Sequence, residues 1–334
     1  MIIGPGRIVQ GPPHPIVLRH MQKTPNDTQP IIEARGVTKT FDGIEAVSGL
    51  NLTVPPGICF GLLGPNGAGK TTTLRMLYGV SEPSQGQIKI FGMDVGRNTR
   101  AVRARLGVTL QDNVMMENMS SRDNLFIHGR HHLIGEALLA QRVAELLEFL
   151  EIGADADKKV LKLSGGFKRR LSIAMSLINA PELLILDEPT TGLDPAVRHA
   201  LWSKIRGLKG DGKTILLTTH YMDEAERLCD QVMIINGGKA IRQGAPRQLI
   251  EDELYPNALE FDCSSEEEQR LLEGASELVK LRTGTRLMVF AKDTEQILTR
   301  LQKLDGGNRR AAIQRPANLE DVFLAVTGTH LEDG

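Results

Sequence analysis

The sequence predicts an α/β layered fold with a largely parallel sheet, followed by a small α+β unit. Three observations carry the prediction. From about Ile31, short apolar runs alternate with stretches of helical periodicity, the pattern of strands joined by crossover helices. Gly43, Pro55, Pro56 and Gly57 punctuate the runs as turns. A glycine-rich loop, Gly64 to Thr71, stands between an apolar run and a helical one. At 334 residues the chain has room for about two domains of roughly 150 residues each.

The elements follow in order. Residues 1–30 hold six prolines and no periodic apolar pattern, so they read as a disordered tail, with Met21 as an alternative start. Residues 31–256 read as the first domain. Gly49–Val54, Ile58–Leu63, Leu106–Leu110, Leu183–Leu186 and Thr214–Thr219 are its strands; Thr71–Tyr78 and Leu138–Leu150 are helices, the second with Val143, Leu146, Leu147 and Leu150 on one face. Residues 257–334 read as the small α+β accessory domain. Its strand Ala258–Cys263 precedes a helix, Ser264–Leu272, opened by a capping box with Glu267. A hairpin follows, Leu278–Arg282 and Arg286–Ala291 about Thr283-Gly284-Thr285. Then come a helix Asp293–Leu304 capped through Gln296, a strand Arg310–Gln314 and a helix Asn318–Val326. The order βαββαβα resembles a ferredoxin-like unit.

Composition excludes several classes. Lys+Arg 40 against Asp+Glu 41 leaves a net charge of −1, which argues against a nucleic-acid partner. No apolar stretch approaches the ~20 residues of a membrane-spanning helix. Pro12, Pro13 and Pro15 stand where the apolar core of a signal peptide would lie, so a soluble intracellular protein is expected. Cys59, Cys229 and Cys263 are scattered, as reduced thiols are, with no paired spacing for a disulfide or zinc framework.

Two patterns carry chemistry. Gly64-Pro65-Asn66-Gly67-Ala68-Gly69-Lys70-Thr71, followed by Thr72, matches GxxxxGK[ST]. Its glycines let backbone N–H groups curl round phosphate oxygens, and the helix that follows adds its N-terminal partial charge. Lys70 is placed to reach the phosphates and Thr71 to hold Mg²⁺. Leu183-Leu184-Ile185-Leu186-Asp187-Glu188 is a buried strand ending in two carboxylates. Asp187 suits the metal and Glu188 suits orienting a water; the plainer alternative is an acidic turn closed by Pro189.

Between them stands Leu163-Ser164-Gly165-Gly166-Phe167-Lys168-Arg169-Arg170. With this third motif, residues 31–245 resemble the ATP-binding cassette (ABC) ATPases. The resemblance implies ATP and Mg²⁺ as ligands and assigns roles by position. Phe41 would stack on adenine, with a core Phe as the alternative. Gln111 would contact Mg²⁺ and link to a membrane partner. Asp194 would cross a dimer interface, and it also suits an N-cap before Pro195. His220 would contact the γ-phosphate. Ser164, Gly165 and Gly166 open a helix and so form a second anion site; the family uses it on the ATP of the other subunit, in a head-to-tail homodimer. Phe167 departs from the family's usual Gln. Lys168, Arg169 and Arg170 are expected on a solvated helix face. His128, His131 and His132 include an i, i+4 pair, but with no carboxylate nearby a metal site is not expected. Val114-Met115-Met116 fits the groove that receives a helix of the membrane subunit, with core as the alternative.

Leu216–Asp230 and Arg315–Gly328 are similar to the ATP-binding subunits of ABC-2-type exporters, and most of all to those that export lipo-chitooligosaccharides; drug exporters share much of the pattern. This implies a separate ABC-2-type permease and a peripheral place on the cytoplasmic face of the plasma membrane. A soluble ABC ATPase acting on DNA or ribosomes fits less well: the gap from Gln111 to Ser164 is too short for a coiled coil, and there is one cassette.

Overall fold

The computed structural model describes residues 29–112, 114–275, 277–305 and 311–328. The expected tail up to residue 28, the alternative start at Met21, and Arg310 lie outside the described residues. Strands β1 (Ile32–Phe41) and β2 (Ile44–Val54) form a hairpin over Asp42 and Gly43, both at positive φ as a tight two-residue turn requires. Then come β3 (Cys59–Leu63), α1 (Lys70–Leu77), β4 (Gln85–Ile90), β5 (Met93–Asp94), α2 (Thr99–Ala104) and β6 (Leu106–Thr109). Helices α3 (Ser121–His131), α4 (Glu136–Phe149) and α5 (Gly165–Leu177) pack on one another and lead into β7 (Leu183–Asp187). Next are α6 (Pro195–Gly210), β8 (Thr214–Thr219), α7 (Met222–Leu228), β9 (Gln231–Asn236), β10 (Lys239–Gly244) and α8 (Pro246–Glu253). The last stretch holds β11 (Asn257–Asp262), α9 (Ser265–Leu272), β12 (Leu278–Thr283), β13 (Arg286–Ala291), α10 (Glu295–Leu304), β14 (Ala312–Pro316) and α11 (Leu319–Thr327).

The central sheet runs β10-β9-β3-β8-β7-β6 and is parallel apart from β10. Its strands β3, β7 and β8 are buried at every residue, as the apolar runs predict. Alternate side chains feed two cores: Phe60, Leu62, Leu183, Ile185 and Leu216 on one face, Cys59, Leu63, Leu184, Leu186 and Leu217 on the other. A second sheet, β2-β1-β4-β5, is antiparallel and covers the first face. Only β2 of this sheet was visible in the apolar pattern, as Gly49–Val54, because β1 and β4 mix buried and exposed residues without clean alternation.

The third sheet, β12-β13-β11-β14, is antiparallel throughout, the order of a ferredoxin-like unit. One face buries Leu259, Phe261, Leu287 and Val289 under α9 and α10. The other gives Ala258, Met288 and Phe290 to the large core, with Leu319, Val322 and Phe323 of α11, which packs on α7 and α8. The capping box of Ser264 and Glu267 forms as expected. The cap through Gln296 does not: α10 starts at Glu295, and Asp293 accepts from Glu295 N at 2.9 Å instead.

Candidate functional site

The parallel order places the carboxyl ends of β3, β8, β7 and β6 side by side along one edge, where α/β sheets bind ligands. The loops leaving those ends bring together Gly64–Thr72, His220, Asp187 with Glu188, and Gln111. A cavity of about 220 Å³ opens there, lined by Ala46, Pro65–Thr72, Gln111 and Glu188.

The phosphate loop has this shape because of where its glycines sit. A Cβ on Gly64 would lie 2.2 Å from the Ile235 carbonyl oxygen, and one on Gly69 2.5 Å from that of Ala46. Gly69 is the N-cap of α1 and gives no side-chain cap, so the first-turn N–H groups are left for a ligand at the cavity wall. Lys70 is nearly buried; its Nζ donates to the carbonyls of Gly64 at 2.8 Å and Pro65 at 3.2 Å and lies 3.4 Å from Glu188 Oε1.

The two carboxylates are held differently. Asp187 accepts from Thr218 Oγ1 at 2.6 Å and from Thr71 Oγ1 at 3.3 Å. Burial raises its pKa, and the hydroxyls only partly offset that. Glu188 sits at φ 47°, a strained setting for a side chain other than glycine. Its Oε2 accepts from Thr191 Oγ1 at 3.0 Å and lies 3.2 Å from His220 Nδ1. Burial works against its ionisation, but His220, Lys70 and Thr191 outweigh it and hold the carboxyl at about 2. Glu188 is therefore a carboxylate at neutral pH, aimed into the cavity beside a fixed cation.

The remaining expected residues stand apart from this cavity. Ser164 caps α5, its Oγ accepting from Phe167 N at 3.3 Å, with Gly165 and Gly166 in the first turn; none of the three lines the cavity. Asp194 caps α6, accepting from Val197 N at 3.0 Å. Phe41 lies at the end of β1, 49% exposed, with Lys39 Nζ 5.0 Å from its ring centre, and is not part of the cavity wall. Phe167 is a core residue.

One expectation is corrected. Lys168, Arg169 and Arg170 are not a solvated face. Lys168 pairs with Glu117, and Arg170 donates to the carbonyls of Leu150 and Glu151. Arg169 is 4% exposed and gives every donor nitrogen to backbone carbonyls around the site. Gly165, Arg169 and Ile173 fall on one helical stripe, but Gly165 is exposed, so the spacing alone did not mark Arg169 as buried. Met115 packs against the core, whereas Val114 and Met116 are exposed, Met116 by 48%.

Known proteins resemble this chain over most of its length. The family model described as ABC transporter matches residues 47–191. The one described as Nodulation factor export protein NodI, C-terminal domain, matches residues 268–328. The chain is 44% identical over 304 residues to the Nod factor export ATP-binding protein I of Cupriavidus metallidurans, covering 91% of this chain and 99% of that one. It is 43% identical to the Rhizobium meliloti protein of the same name, over 90% and 89%. Among solved structures, cbiO1 of Clostridium perfringens, part of the ABC transporter complex cbiONQ, superposes with TM-score 0.62 at 29% identity, over 67% of this chain and 92% of that one. The dimeric post-hydrolysis cassette MJ0796 bound to ADP and Pi superposes at 0.60 and 24%, over 64% and 98%, a likeness of fold.

Proposed function

The chain belongs to the ATP-binding cassette family, as an ATP-hydrolysing subunit of an ABC exporter, and from that premise we propose that two copies close head to tail on two Mg·ATP and drive a separate ABC-2-type permease. One observation carries the arrangement. The Ser164-Gly165-Gly166 helix start presents its first-turn backbone and the positive end of α5, which suit an anion, yet it is not part of the wall of this chain's own cavity. A partner copy supplies what that cavity lacks, with Asp194 at the junction.

In this reading the N–H groups of the phosphate loop and Lys70 stabilise charge on the transferring phosphoryl group. A nucleotide phosphate competes with Glu188 for Lys70, freeing the carboxylate to orient the attacking water. His220 and Thr191 keep Glu188 in place, and Phe41 and Thr72 complete the nucleotide contacts. Mg²⁺ fits this chain: Asp187 is a buried carboxylate whose hydrogen bonds come from the Thr218 and Thr71 hydroxyls, and burial outweighs these and the nearby charge of Lys70. Thr71 and Asp187 would hold the ion, with Gln111 nearby, and it would supply positive charge against the phosphates.

The family's relatives named for Nod factor export support a lipo-chitooligosaccharide as cargo, with a drug-like small molecule as the second reading because the permease selects it. The subunit works on the cytoplasmic face of the plasma membrane; no described helix is long and apolar enough to cross a membrane. We further propose the division into residues 31–256 as the cassette and 257–334 as the accessory unit. The test is Glu188→Gln. It should bind ATP normally, lose about 10²-fold or more of kcat, and run as a dimer on gel filtration only when ATP is present. A variant that stays monomeric and hydrolyses ATP refutes the assignment.

A further inference from the structure

The buried Arg169 has no place in the mechanism above, and its contacts are unusual. Its Nε donates to the Pro189 carbonyl at 2.8 Å. Nη1 donates to those of Leu110 at 2.6 Å and Gln111 at 3.2 Å, and Nη2 to those of Asp187 at 2.5 Å and Glu188 at 2.8 Å. One guanidinium thus serves five carbonyls on two separate loops. The first loop carries Gln111, and the second carries Glu188. Arg169 itself belongs to α5, one turn after Gly165 on the same stripe. Among the described residues no carboxylate side chain is a hydrogen-bond partner of Arg169, so the contact is not an ordinary ion pair.

We propose that Arg169 is a positioning residue that joins the Ser164-Gly165-Gly166 helix start to the loops of Gln111 and Glu188 in the same chain. The inference rests on the head-to-tail reading, in which those two regions serve different ATP molecules. A rigid link between them means that closure of the helix start on one nucleotide moves the water-orienting carboxylate at the other. It also ties both to Gln111, on the loop that runs on to the exposed Val114 and Met116. The fork geometry suits this and a lysine does not: five N–H groups in one plane reach several carbonyls, whereas an ammonium is a point donor.

Arg169→Lys in the full chain tests the proposal, with Arg169→Gln carried in parallel in case the lysine variant does not fold. Binding of fluorescent mant-ATP reports the phosphate loop alone, and steady-state hydrolysis reports the assembled site. The expected result is mant-ATP affinity and KM within about twofold of wild type and kcat lower by about tenfold or more. Amide hydrogen exchange is expected to quicken at residues 108–112 and 187–191 and to stay unchanged at residues 64–72. That second readout does not require the chain to hydrolyse ATP, so a silent wild type counts against the proposed function and leaves this link measurable. Wild-type kcat, or unchanged exchange in the two loops, overturns the proposal. So does a loss of kcat matched by an equal loss of mant-ATP-binding protein, which marks a folding defect.

Discussion

Lys70 and Glu188 face each other at 3.4 Å with almost no exposure, at the floor of the cavity. Removing one partner of such a pair typically costs about 3–5 kcal/mol, because the other charge is left buried alone. The ionisation of Glu188 gives this a pH signature. A carboxyl whose pKa is lowered by folding adds stability that is complete above its unfolded value, near 4.3, and is lost as pH falls toward about 2. The Tm difference, wild type minus Glu188→Gln, is therefore expected to shrink from about pH 6 to about pH 3. A difference constant over that range contradicts the ionised state. At this scale the charged residues of the site were legible because GxxxxGK[ST] and the acidic strand end each require their chemistry at fixed spacing. Arg169 was not, because in Lys168-Arg169-Arg170 three cations look alike and helical phase does not separate them: Arg170 shares its stripe with the buried Phe167, Ala174 and Leu177, yet Arg169 is the one that the backbone carbonyls draw inside.

The elements that present these residues are short, and their ends do the positioning. Helix α1 begins at the phosphate loop with no side-chain cap, whereas Ser164 caps α5 and Asp194 caps α6; of these two caps, that of Asp194 before Pro195 was legible in the sequence. The one cap that failed, at α10, did so because Thr294 is helical rather than extended, so Asp293 bonds two residues ahead instead of three. The loop after β6 shows how the structure sharpens a sequence reading. The Val114-Met115-Met116 run left core and docking open, and the chain divides it, Met115 inward and Val114 and Met116 outward. Met116→Asp is the cleaner probe of docking, since an exposed substitution shifts stability by about 0.5 kcal/mol or less. Its ATP hydrolysis in isolation should match wild type while co-purification with a membrane protein is lost. Retained co-purification would remove this surface from the interface.

Across the whole molecule, a parallel sheet gathers the catalytic loops at one edge, an antiparallel sheet closes one side, and the third sheet shares its core with the cassette through α11. The parallel sheet was legible because buried strands are unbroken apolar runs. Of the antiparallel sheet only β2 was, through the alternation of Leu50, Leu52 and Val54, since β1 and β4 carry no periodic mark. The shared core has a consequence for dissecting the molecule. Cutting at residue 257 uncovers the cassette surface that packs against Phe290, Val322 and Phe323, so such a fragment exposes apolar area as well as losing a unit. The claim that this chain powers a membrane partner is tested most directly in its native cell. Tagged Glu188→Gln protein, trapped with Mg·ATP, is recovered from detergent-solubilised membranes and its companions are identified by mass. The account predicts one polytopic membrane protein in fixed stoichiometry with two copies of this chain. Recovery from the soluble fraction alone, with ribosomes or DNA-bound proteins, would leave an ATPase and contradict the exporter.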